Sequence, residues 1–201
     1  MVVKVHSLRE YFRDSLHSAL EHQQVSVGGE TEQYVVNLLT LFAHSDALFE
    51  QTPDGARIRP LVVMLADALE AHSARERCAG LQRLGDVSLF VAGFFAQGFA
   101  RKLIDIDYHI AMGGRAYGTL SEAVRRSGRA ALGPVFGELA AKFQQMVDAL
   151  NEVSEAGYQY SDRDILRLYE VWLKTGSRRA ERLLSCLGVA PAAGAHSKFR
   201  H

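Results

Sequence analysis

The sequence predicts an all-α protein: a single compact domain of seven or eight helices around a central helix pair, about residues 75–96 and 101–126. Two observations carry this expectation. Apolar residues recur at three- and four-residue intervals through most of the chain, which is the period of a helix face. Strand-type alternation never extends beyond a few residues, and no internal repeat is evident. With 201 residues, 48% hydrophobic and 23% charged, the chain is long enough for one substantial core.

The first helix is expected from Ser7 to about His22. Ser7 and Glu10 have the spacing of a capping box, and Leu8, Phe12, Leu16 and Leu20 fall on one face. The connection 23–29 ends it, and a second helix starts near Glu30 or Thr31 with acids at its positive end. This helix is apolar nearly all round, leaving Gln33, Asn37, Thr40 and His44 as a narrow polar stripe. Residues 51–59 read as a loop turning at Pro53-Asp54-Gly55, and Pro60 suits the first position of a third helix, LVVMLADALEAH.

The fourth helix, Arg75 to Ala96, is amphipathic at first and then apolar all round. Gly98 is expected to break it before a fifth, Arg101 to about Arg126. A sixth is expected from Val135 to Ala156 through Phe136, Leu139, Phe143, Met146, Val147 and Leu150. A seventh is capped by Ser161 and buries Ile165, Leu168, Tyr169 and Trp172, and Ser177 to Leu187 forms a last short helix. The domain is therefore expected over residues 1–188, with 189–201 as a flexible tail.

The central pair holds the groups that are hardest to bury. Asp105 and His109 are four apart on the fifth helix and share a face, flanked by Tyr108 and Met112. Gly113, Tyr117 and Leu120 belong to an adjoining apolar seam, while Asp107 shares a strip with Gly114 and Gly118 that would admit a close neighbour. Asp86 lies in the apolar context LGDVSLF and is expected to be partly enclosed. Asp86, Asp105, Asp107, Tyr108, His109 and Tyr117 are thus the candidate ligand-binding residues. Two readings stand side by side. In one these groups tie neighbouring helices together. In the other they form a small-molecule or metal site, with or without catalysis, around Asp105, Tyr108 and His109.

No catalytic residue, cofactor or metal ligand set is assigned from the sequence. The chain lacks Glu-x-x-His, Gly-x-Ser-x-Gly, CxxC and phosphate-loop patterns. Acids and bases balance at 23 each, which argues against nucleic acid as a partner despite small arginine groups at 125–129 and 178–182. The most apolar window is too short to span a bilayer, no secretory signal is seen, and Cys78 and Cys186 read as free thiols. The resulting expectation is a soluble cytoplasmic protein that works through protein contacts, non-catalytic and homodimeric, as an interaction or regulatory module.

Overall fold

The computed structural model describes residues 7–43, 48–52, 55–94, 106–126 and 132–155, together with single positions between 165 and 189. It is an all-α fold, and its contacts group into two compact units, Met1–Ala156 and Gly157–His201. Sequence patterning drew the domain boundary at 188; the contacts cluster on either side of 156.

In the first unit, α1 (Leu8–His22) begins with the expected capping box: Ser7 Oγ accepts from Glu10 N–H at 3.3 Å and Glu10 Oε2 from Ser7 N–H at 3.0 Å. The reciprocal bonds satisfy two groups that a helix start otherwise leaves open. The helix ends on Gln24, a non-glycine residue at φ 58, with Val25 N–H donating to Leu20 C=O and Gln24 N–H to Glu21 C=O. These two bonds define a Schellman close, which uses the left-handed position to satisfy the last carbonyls. Phe12, Leu16, Ala19 and Leu20 face the core, whereas Leu8, expected on the same face, is exposed in the first turn.

The start of α2 (Gly29–Phe42) has no side-chain cap of its own. Glu138 from a distant helix takes that role, its Oε2 accepting from Gly28 N–H at 2.9 Å and Thr31 Oγ at 2.6 Å. Lys142 holds the other oxygen at 2.8 Å. Burial acts to raise the Glu138 pKa, but Lys142, Thr31 and the Gly28 amide outweigh it, and the carboxyl sits below its ordinary value. A carboxylate at a helix N-terminus is favoured by the orphan amides and the dipole alike.

Part of the expected 51–59 loop is a short antiparallel hairpin, β1 (Glu50–Thr52) with β2 (Gly55–Arg57), paired Glu50 to Arg57 and Thr52 to Gly55. Three residues per strand are too few for alternation to register in a sequence. Pro53 and Asp54 lie outside the described residues. Pro60 precedes α3 (Leu61–Glu70) rather than opening it, its carbonyl accepting from Val63 and Met64.

Helix α4 (Ala74–Phe94) starts on a second capping box, Ser73 with Glu76, each bond 3.1 Å, which the sequence reading did not identify. It packs on α2, α3, α5 (Ile106–Arg126) and α7 (Phe143–Glu155), and is the centre of the unit. Close approach depends on missing side chains. A Cβ on Gly113 would lie 2.2 Å from the Phe143 ring and 2.7 Å from Ser88 Cβ; one on Gly85 would lie 2.6 Å from the Tyr117 ring. The expected strip of Gly114 and Gly118 makes only ordinary contacts with the Ala140 and Phe143 region, so the tight crossing is at Gly113 instead.

The sixth helix of the sequence reading is two: α6 (Gly133–Ala141) and α7, separated at Lys142 with φ −113 and ψ 23. The break separates two packing tasks. Phe136 and Leu139 lie on α6, which packs on α5 and α2, while Phe143, Met146, Val147 and Leu150 lie on α7, which packs on α4 and α1. An uninterrupted apolar stripe does not show such a join, because each half keeps its own period.

In the second unit Trp172 and Leu184 are buried, with Ile165, Tyr169 and Val189 packed against them and the Tyr169 and Trp172 rings 5.4 Å apart. Ile165, Tyr169 and Trp172 belong to the face expected to be buried. The Ser161 cap, Leu168, Cys186, the arginines at 178, 179 and 182, and residues 190–201 lie outside the described residues.

Candidate functional site

The middle of α4 places one carboxylate among three helices. Asp86 Oδ1 accepts a hydrogen bond from Tyr34 Oη of α2 at 2.6 Å and another from Tyr117 Oη of α5 at 2.7 Å. Gln82, one turn earlier on α4, donates to Tyr34 Oη at 3.0 Å. Phe136 of α6 packs against both phenols, edge-on to Tyr34 at 5.5 Å and stacked on Tyr117 at 5.8 Å. Gly85 lets the Tyr117 ring lie against the α4 backbone, which brings its hydroxyl to the next residue, Asp86.

Burial sets the electrostatics. It pushes the Asp86 carboxyl up from 3.8 to about 6, although the two phenols and nearby Arg83 pull it back. Burial, then the neighbouring Asp86 charge, raises both Tyr34 and Tyr117 well above the ordinary phenol value. The tyrosines therefore remain protonated donors at neutral pH. A carboxyl near neutrality is suited to holding or releasing a proton, but one Asp86 oxygen and both hydroxyls are already engaged with one another. Neither of the two surface hollows described, one against Arg83 and Val87 and one against His72 and Glu76, has Asp86, Tyr34 or Tyr117 in its wall.

Of the residues singled out from sequence, the structure brings Asp86 and Tyr117 into direct contact, with Tyr117 fully buried at 0% exposure. His109 is also buried, on the same face of α5, but two turns from Tyr117, about 12 Å along a helix axis. Its ring lies edge-on to Tyr108 at 6.1 Å. Asp107 and Tyr108 are on the solvent side, Tyr108 at 41% exposure. Asp105 lies outside the described residues. Sequence reasoning missed Tyr34 and Gln82. The available signal was a tyrosine inside the apolar run of the second helix, since a buried hydroxyl needs an acceptor.

Among the described residues no group of three or more histidine, cysteine, aspartate and glutamate side chains is arranged to hold a metal ion. Cys78 is a free thiol, half-buried. Among them too, no helix is long and apolar enough to cross a membrane. No protein-family model, no curated protein and no solved structure matches this chain.

Proposed function

We propose that the protein is a non-catalytic interaction or regulatory module of the cytoplasm that pairs with a second copy of itself through α3. The observation that carries this reading is the outer face of that helix. Only Leu61, Met64 and Ala68 of α3 are buried, while Val62 at 61%, Leu69 at 55% and Val63 at 39% are exposed, with Ala66 exposed between them. Positions 62, 66 and 69 lie on one stripe of a helix, so this is a continuous apolar surface rather than scattered residues. Covering each large side chain on association contributes roughly 1 kcal/mol, as the transfer of apolar area from water requires. The Asp86 group supports the non-catalytic part, because its hydroxyls serve as donors between helices. Nucleic acid is left out of the reading because acids and bases balance at 23 each. Light scattering across a range of concentrations tests it: a mass that rises toward that of two chains is expected, and a strict monomer throughout contradicts it.

A further inference from the structure

A second feature of α3 lies on its other side. Between β1, the segment after β2, α3 and α4 is a half-open cavity of about 130 Å³. Leu48, Ile58, Met64 and Val87 give it an apolar floor. Its wall carries charges of both signs: Glu50, Arg59, Asp67 and Arg83. Arg59 pairs with Glu50 at 3.7 Å and with Asp67, and all three side chains are half-exposed, which places them at the mouth. Arg83 sits deeper, its guanidinium 4.8 Å from the Phe42 ring centroid and 3.5 Å from Leu48 C=O.

We propose that this cavity binds a small zwitterion with a compact apolar body, an apolar α-amino acid being the fitting class. Three features select it. The volume is close to that of an apolar cavity of roughly 150 Å³ that accepts benzene, so a body of about four to six carbons fills it. Among the described residues the wall holds two acids that share Arg59 at the rim and a second arginine, Arg83, set deeper, so a ligand carrying one charge of each sign can meet an acid and a guanidinium together. A guanidinium has five N–H donors in a planar fork, suited to a carboxylate alongside the contacts Arg83 already makes. Burial holds the Arg83 pKa below its usual value, against the pull of Asp86 and Glu50, and an incoming carboxylate relieves that penalty. The ligand's ammonium then falls to Glu50 or Asp67 at the rim.

Calorimetric titration of the full chain tests this with three probes of one carbon skeleton: L-leucine, 4-methylpentanoate without the ammonium, and 3-methylbutylamine without the carboxylate. Saturable binding of leucine is expected, with at least about tenfold weaker binding of each of the other two. Ile58→Trp, a half-buried position that fills the cavity, and Arg83→Met should each lower leucine affinity by about tenfold or more. Circular dichroism identifies the variants that retain the fold, and Ile58→Trp carries the test if Arg83→Met does not. The proposal is overturned if leucine fails to bind the folded wild type at about 10 mM. It is equally overturned if 4-methylpentanoate or the amine binds as tightly as leucine, or if folded Ile58→Trp binds leucine unchanged.

Discussion

Helices α3 and α4 are joined by three residues and packed against each other, yet they divide apolar and polar character in opposite ways. α3 reads as the more uniformly apolar of the two, LVVMLADALE, and leaves Val62, Val63 and Leu69 outside. α4 carries Gln82, Arg83, Asp86 and Ser88 and is enclosed by four other helices. Apolar content alone therefore does not decide burial here. What decides it is how many neighbours a helix has, and whether its polar groups find partners there: Asp86 is tolerated in the centre because two phenols reach it. The outer face of α3 has no such neighbour among the described residues, which is the ground for the association proposed above.

The largest effect is expected at Tyr117. Tyr117→Ala removes a fully buried ring together with one of the two hydrogen bonds to Asp86, and should cost about 3–5 kcal/mol in denaturant unfolding. Next comes Gly113→Ala, whose new methyl meets Phe143 and Ser88. About 1–3 kcal/mol of destabilisation is expected, and thermal melting should show it as a lower Tm.

A smaller effect separates the charge of Asp86 from its hydrogen bonds. Because its folded pKa is raised, the folded state holds this proton more tightly than the unfolded chain does. Its contribution is therefore greatest below the ordinary value of 3.8 and declines as pH rises to about 6. Between those limits, stability from this group should increase by on the order of 1 kcal/mol for each unit the pH is lowered. Unfolding curves from pH 7 to 5 should show that rise, and Asp86→Asn should flatten it. At pH 7 Asp86→Asn should be at least as stable as wild type, since an amide oxygen still accepts from both phenols without a buried charge. Asp86→Ala, which leaves the two phenols without that acceptor, should be less stable than Asp86→Asn.

The all-α class, the Ser7 cap and the enclosure of Asp86 were legible in the sequence, because each leaves a local mark: a period, a spacing, or an acid in an apolar run. The partner of Asp86 on α2 was not, since Tyr34 is 52 positions away and nothing local ties the two. The Lys142 break and the Glu138 cap on α2 were hidden for the same reason; both depend on where distant helices meet. The enclosure of α4 and the exposed apolar side of α3 were hidden as well, because apolar content does not say which helices pack alongside.

Leu69→Glu, with mass and stability measured on the same sample, tests the proposed association through α3. Leu69 is 55% exposed, so unfolding should change by no more than about 0.5 kcal/mol. This variant should remain monomeric at concentrations where the wild type pairs. Pairing that persists undiminished in the folded variant would contradict it.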